Sequence, residues 1–162
     1  TTFSIAGLQL TGQPGDNSSS MLEEIDKRGV KMTSSQMPVN PADPHFESFV
    51  THVVPACVEA GIGVLAMKSL AYGRFFGGNH GWRRTHVSVK PAIPSVLSVE
   101  EVLGFVWSLP VSTLVSGMES AEQVSHNAAI ARKTWDWNPA ELQQRIDSMA
   151  PFAGPDLEFY KN

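Results

Sequence analysis

The stretch Gly61-Ile-Gly-Val-Leu-Ala-Met-Lys-Ser-Leu70 is the part of this sequence that best indicates its fold. The apolar run from Gly61 to Met67 is short and uninterrupted, which is typical of a buried strand. Lys68 then stands at the carboxyl end of that strand, and this is the end at which α/β proteins bind their ligands. The sequence therefore predicts a cation at a ligand-binding strand end.

The segment between Glu59 and Glu100 contains cations but no acid, although the chain as a whole has a formal net charge of −4. A fixed positive field at a strand end suits phosphate groups. A solvated basic loop explains the same charge pattern equally well, so both interpretations stay open. The cations are Lys68, Arg74, Arg83, Arg84 and Lys90.

The composition limits the class of protein. A chain of 162 residues with 42% hydrophobic and 17% charged residues can form one core, so we expect a single domain over residues 1–162. The acidic net charge disfavours nucleic-acid binding, and no stretch approaches the roughly 20 apolar residues of a membrane span. Cys57 has no second cysteine to pair with, which fits a cytoplasmic protein, and the scattered histidines predict no metal site.

Short apolar segments alternate with helical patterns along the chain, which is typical of repeated βαβ units with a parallel sheet. Helix starts are marked by the capping pairs Ser20/Glu23, Ser98/Glu101 and Ser120/Gln123, and by Asn138-Pro139. One extra helix follows the fourth unit, and Pro55 is expected to bend or divide the second helix. The predicted strands are Phe3–Leu10, Val30–Met37, Gly61–Met67 and Val111–Val115. Four such units fit either an open doubly wound sheet or half of an eight-stranded barrel.

Three motifs in chain order, with the ending of the chain, resemble one known family. They are Gln36-Met-Pro-Val-Asn40, the Gly61–Leu70 stretch, and the segment Val115–Asn127; the ending is Pro155-Asp-Leu-Glu-Phe-Tyr160. Together they resemble the carboxyl-terminal half of the aldo-keto reductases, in a bacterial-type member. The likeness covers residues 21–162 well and residues 1–20 poorly.

The resemblance implies a (β/α)8 TIM-type barrel, of which this chain supplies strands five to eight and an extra C-terminal helix. It implies hydride transfer from NADPH or NADH to a small carbonyl substrate. The loops after strands seven and eight would hold the cofactor's diphosphate, Gln36 its carboxamide, and Gln123 and Asn127 its adenosine end. The implied cofactor-binding residues are Gln36, Lys68, Ser69, Leu70, Arg74, Gly117, Met118, Ser120, Gln123 and Asn127.

The sequence also departs from the family. The family's catalytic tyrosine, lysine, aspartate and histidine come from the amino-terminal half of the barrel, so no residue here is assigned a catalytic role. Tyr72 and Tyr160 do not stand in the context of the catalytic tyrosine. Glu119 stands where many members have a basic residue for the 2′-phosphate. The choice between NADPH and NADH therefore stays open, unless Arg83 or Arg84 reaches the phosphate.

Two other functions are compatible with these residues. One is a non-catalytic dinucleotide-binding or scaffold module; the other is a lyase that uses Lys68 as a Schiff-base nucleophile. Structural roles are also available: Gln36 can satisfy buried backbone, Gln123 can cap a helix, and Lys68 can be solvated. Four strands of an opened barrel would leave two edges unpaired and one interior face wet. We therefore expect a missing half-barrel, carried by the rest of the molecule or by a partner chain.

Overall fold

The computed structural model describes residues 8–11, 23–29, 31–78 and 87–161. Strands and helices alternate in it as four βα units, and one further helix follows. Four parallel strands form a single sheet in the order β1-β2-β3-β4: β1 (Leu8–Thr11), β2 (Met32–Pro38), β3 (Gly63–Met67) and β4 (Thr113–Leu114). The helices are α1 (residues 23–27), α2 (Phe49–Glu59), α3 (Val99–Trp107), α4 (Ala121–Ala131) and α5 (Pro139–Met149).

The strands occupy nearly the predicted positions. β4 is shorter than the predicted Val111–Val115, but its pairing continues on both sides. Ser112 N donates to Val64 O at 2.8 Å, and Val115 N donates to Ala66 O at 2.7 Å. Most of the first predicted strand, and the predicted helix start at Ser20, lie outside the described residues.

The helix ends follow the sequence signals closely. Full capping boxes form at Ser98 with Glu101 and at Asn138 with Glu141, and Gly61 has a φ of 66° after α2. Pro55 does not divide α2, which continues through this exposed residue. Gly117, after β4, does not have a positive φ.

The two faces of the sheet differ in burial. Val64 and Ala66 of β3 point to the helices and pack in a core with Met37 of β2, Phe49 of α2 and Phe105 of α3. The alternate residues on the other face are less covered: Gln36, Leu65 and Met67 are half-buried, and Val115 is 45% exposed. Since these residues would line the interior of a closed barrel, the face is open as expected for a half-barrel.

Helix α4 is largely exposed. Val124 is 48% exposed, and Ala131 is also exposed. Ile130 is the one residue of this helix that is buried. This helix follows β4, which is the edge strand of the described sheet. No helix in the described ranges is long and apolar enough to cross a membrane.

Candidate functional site at the strand ends

The carboxyl ends of β3 and β4 lie side by side. Ala66 pairs with Leu114 across the two parallel strands, and neighbouring strands are about 4.8 Å apart. Lys68 directly follows β3, and the segment Val115–Ser120 connects β4 to α4. The predicted phosphate-binding segments therefore leave the sheet from the same edge.

Lys68 is held against aromatic rings at this edge. Its Nζ lies 4.1 Å from the ring centroid of Tyr72 and 5.8 Å from that of Tyr160. The ion pairs within the described part of the chain do not include Lys68. Burial lowers the pKa of this amine below its usual 10.5. Lys68 is thus a partly desolvated cation with no carboxylate neutralising it in the described residues, which suits it to an anionic ligand.

Ser69, the next residue, has an unsatisfied hydroxyl. The residue is 4% exposed, and its Oγ has no hydrogen-bond partner within the described residues. Buried polar atoms are nearly always hydrogen-bonded, so an orphaned hydroxyl indicates a missing ligand or water. The hydroxyl lies one residue from Lys68 and can add a hydrogen bond to an anion held there.

The loop after Ser69 has unusual backbone geometry. Ala71 and Tyr72 have φ of 48° and 58°, as Lys68 has 54°. Residues other than glycine avoid this region, at a cost of about 1–3 kcal/mol each. Such strain is concentrated at ligand-binding segments, where the surrounding structure maintains it.

The segment between β4 and α4 is held by side chains of α4. Ser120 is the N-cap and accepts from Gln123 N at 3.2 Å. The Gln123 side chain accepts from Glu119 N at 2.7 Å, instead of completing the predicted capping box with Ser120. Asn127 Nδ2 donates to Ser116 Oγ at 3.1 Å. Gln123 and Asn127, predicted at the adenosine end, are therefore engaged in shaping this loop.

Two residues of the same loop are open to solvent. A Cβ added at Gly117 would meet no atom within 4 Å, and Met118 is 41% exposed. Helix α4 begins four residues after Gly117, and helix N-termini attract anions. The loop therefore leaves space beside a positive helix end.

Gln36 lies one strand further along. It is half-buried on the open face of β2, and its Cα pairs in register with Leu65 of β3 and Thr11 of β1. The side chain has interactions of its own within the structure. It lies on the barrel-interior face, two residues before the end of β2.

Comparison with known proteins gives a structural match and no sequence match. No protein-family profile matches the chain, and no curated protein sequence matches it. The holo form of aldo-keto reductase AKR11C1 from Bacillus halodurans aligns with a TM-score of 0.61 at 17% identity, covering 94% of this chain and 52% of that one. The apo form aligns with a TM-score of 0.62 at 17% identity, covering 94% of this chain and 53% of that one.

The chain has the fold of half an aldo-keto reductase barrel. It spans about half the length of the solved structures that it matches. At 17% identity the match establishes the architecture of the half-barrel alone. The activity and the cofactor are matters for proposal.

Arg74 is placed differently from the other predicted cofactor residues of the half-barrel. Its side chain is fully buried. Its Nη1 donates to Asp156 O, and its guanidinium lies 4.7 Å from the ring centroid of Phe159. Arg74 therefore fastens the C-terminal segment to the loop after β3, and we leave it out of the proposed cofactor site. Arg83 and Arg84, which were left open as contacts for a 2′-phosphate, lie outside the described residues.

A buried charged group that the sequence did not indicate lies beside this edge of the half-barrel. Lys161 Nζ contacts Asp43 Oδ1 at 2.7 Å and Glu158 Oε2 at 3.0 Å, and all three side chains are fully buried. We name Asp43, Glu158 and Lys161 the tail cluster. Asp43 and Lys161 are 118 residues apart in sequence, so no local spacing rule could have predicted their contact.

The environment of the tail cluster shifts the pKa values of two groups, Glu158 and Tyr160. Burial raises the pKa of Glu158, against the opposing effect of Lys161. Burial also raises the pKa of Tyr160 well above 10, and the Glu158 and Asp43 carboxylates add to this increase. A general acid works best with a pKa near the operating pH, so Tyr160 is unsuited to that role.

His45 contacts Ile146 O at 2.8 Å through Nε2, which is a structural contact with α5. His80 and His86 lie outside the described residues. No group of three potential metal ligands occurs in the described ranges. A surface groove of about 480 Å³ is lined by Trp135, Trp137 and His126, among others, and contains none of the predicted site residues.

Proposed function

We propose that the chain is the cofactor-binding half of an NAD(P)H-dependent oxidoreductase that reduces carbonyl compounds. The observation that carries the proposal is the pair at the end of β3. Lys68 has no carboxylate partner within the described residues, and the buried Ser69 hydroxyl next to it has no partner either. The half-barrel match supports the same assignment, since strand ends are where such barrels bind their ligands.

The residues present fit a dinucleotide diphosphate. The ammonium of Lys68 supplies charge, the Ser69 hydroxyl a hydrogen bond, and the N-terminus of α4 a favourable dipole. The open side of Gly117 lets an anion approach the backbone. Gln36 would contact the nicotinamide from the interior face. A bound NADPH or NADH supplies the hydride, and this chain's residues bind and orient the cofactor without providing the proton.

Titration of NADH and NADPH against the chain tests this proposal. We expect quenching or enhancement of nicotinamide fluorescence with saturable binding. Lys68→Met should weaken binding about tenfold or more, because a charge-assisted contact is worth roughly 1.5–3 kcal/mol. Ser69→Ala should weaken it less. Lys133→Met is the control, since Lys133 pairs with Glu100 at an exposed site and should not matter. Absence of binding, or equal loss in the control, would contradict the proposal.

We propose further that the open face is closed by a second half-barrel that carries the catalytic residues. The half-buried interior residues support this, as does β4, which has no strand on its outer side within the described residues. The chain also covers only 52% of a complete reductase chain. Native mass spectrometry of the purified protein tests it. A single non-associating species of 17.6 kDa that nevertheless reduces carbonyls would contradict it.

Two other functions remain separable by experiment. A scaffold module would bind the dinucleotide without carbonyl-dependent oxidation when the second half is supplied. A Schiff-base lyase is favoured by one observation, the lowered pKa of Lys68. Borohydride trapping of an aldehyde on Lys68, identified by peptide mass, would support the lyase; trapping that persists in Lys68→Ala would exclude it.

A further inference from the structure

The C-terminal tail ends in a network of buried charges whose polar atoms are well satisfied. Lys161 Nζ donates to Asp43 Oδ1, Glu158 Oε2 and the Phe46 carbonyl, at 2.7, 3.0 and 2.6 Å. These contacts use all three donors of an ammonium group. Buried ion pairs with satisfied geometry define one arrangement more strictly than apolar contacts do. The tail cluster therefore fixes the position of residues 157–161.

The acids of the cluster are engaged on their other oxygens as well. Glu158 Oε1 accepts from Asn40 Nδ2 at 2.9 Å and from the Tyr160 hydroxyl at 3.1 Å. Asp43 Oδ2 accepts from Ser48 Oγ at 2.7 Å. Asn40 and Asp43 belong to the loop after β2. The cluster thus binds the tail to that loop and sets the orientation of the Tyr160 ring through its hydroxyl.

The fixed tail then reaches the loop after β3. The Tyr160 ring lies 5.8 Å from Lys68 Nζ. The Phe159 ring packs edge-on against Tyr72 with centroids 6.0 Å apart, and Tyr72 lies 4.1 Å from the same Nζ. Two adjacent tail aromatics therefore act on Lys68, one directly and one through Tyr72. The neighbours of Lys68 are therefore aromatic rings. The buried carboxylates of the tail cluster are paired with Lys161 instead.

We propose that the tail cluster is a positioning device for Lys68: by docking Phe159 and Tyr160, it holds the ammonium between two aromatic rings and available to the phosphate groups of a ligand. This inference rests on the proposed function for the identity of the ligand. The positioning itself does not depend on it. Asp43, Glu158 and Lys161 act only through the tail aromatics, so they are positioning residues and not ligand contacts.

The position of Lys68 can be measured without a ligand. The protein is labelled with 13C at the Cε atoms of its lysines and studied by NMR. The Lys68 signal is the one that disappears in Lys68→Arg. Aromatic rings close to Lys68 shift the chemical shifts of its Hε protons. We expect Lys161→Met and Tyr160→Leu to move these resonances towards the values of an exposed lysine. Lys133→Met, which breaks an exposed ion pair instead, should leave them unchanged.

Folding controls keep the test decisive. Lys161→Met leaves buried carboxylates unpaired and can unfold the chain, whereas Tyr160→Leu keeps the ion pairs of the cluster. Circular dichroism identifies the folded variants. If Lys161→Met is unfolded, Tyr160→Leu decides the outcome. Unchanged Lys68 resonances in the folded variants would overturn the inference.

Binding provides the second measurement. We expect NADPH and NADH to bind about threefold to tenfold more weakly to Lys161→Met and Tyr160→Leu, since two cation–π contacts orient the ammonium. If the wild type binds neither dinucleotide while the Lys68 resonances respond to the variants, the proposed function fails and the positioning stands. If the wild type binds but the resonances do not respond, the positioning fails alone.

Discussion

Lys68 is the residue on which the candidate site depends, and its titration is directly measurable. Burial lowers its pKa in the folded state below the 10.5 of an exposed lysine. The unfolded chain then binds more protons between these two values, so this group makes the fold more stable as pH rises through that window. In 13C-detected titrations we expect a midpoint below 10.5. A midpoint at or above 10.5 in the wild type would contradict this.

Glu158 is expected to change folding stability with pH in the opposite direction to Lys68. Its pKa is raised by burial above the usual 4.5, so the folded state binds the proton more tightly than the unfolded state does. The contribution of this group to stability is therefore present at low pH and is lost as pH rises through the raised value. Each pKa unit of difference corresponds to about 1.4 kcal/mol.

The matched variant is Glu158→Gln, which cannot titrate. Urea unfolding of both proteins at several pH values should show the wild type gaining stability relative to the variant as pH falls from 7 towards 4.5. A constant difference across that range would show that Glu158 does not titrate abnormally.

The sequence could predict the position of Lys68 at the end of a strand, because the signal is local: a short apolar run is followed at once by a cation. The orphaned hydroxyl of Ser69 was assigned through the motif, although its burial was not foreseeable. Asp43 and Lys161 were missed because their contact joins a turn to a tail, and each residue alone has the pattern of an ordinary surface charge. Arg74 was assigned to the site through the family resemblance, and its burial against Phe159 could not be read from the sequence.

At the scale of elements, the contact between α3 and the segment after α4 depends on one glycine. A Cβ at Gly104 of α3 would stand 2.4 Å from a ring carbon of Trp135. The indole is also fixed by its Nε1, which donates to Ile130 O at 3.1 Å. It cannot move away without losing that hydrogen bond.

We expect Gly104→Ala to lower the free energy of unfolding by about 1–3 kcal/mol, the usual effect of overpacking. Chemical denaturation followed by tryptophan fluorescence measures it. Gly117→Ala is the matched control, because an added methyl group there meets nothing within 4 Å. Equal stability of the two variants would refute the steric explanation.

Helix starts were predictable and helix burial was not. Ser98, Ser120 and Asn138 all cap helices as their sequence context indicates, because capping involves only residues within one turn. The apolar residues of α4 differ in burial: Ile130 is buried, whereas Val124 is 48% exposed. Periodicity identifies an apolar face, but it does not say whether a neighbouring element within the same chain covers that face.

For the whole molecule, the exposed apolar residues beside the edge strand are expected to mediate association with a second half-barrel. Val124 on α4 is 48% exposed, and Val58 on α2, away from that edge, is 50% exposed. We expect Val124→Lys to impair association in sedimentation velocity experiments, whereas Val58→Lys should not.

Both variants should retain folding stability to within about 0.5 kcal/mol, since neither side chain is buried. Equal effects on association would place the contact elsewhere.

The alternation of strands and helices predicted the architecture, but it could not distinguish an opened barrel from a doubly wound sheet. The strand order β1-β2-β3-β4, with neighbours in sequence also neighbours in the sheet, made that distinction.

The tail cluster also has a consequence for the order of events during biosynthesis. Lys161 is translated 118 residues after Asp43, which at about 5–20 residues per second is a delay of roughly 6–24 s. During that interval Asp43 has no ammonium group to pair with, so the loop after β2 cannot reach its final packing until Lys161 has been added. Packing beside the strand ends therefore waits for one lysine.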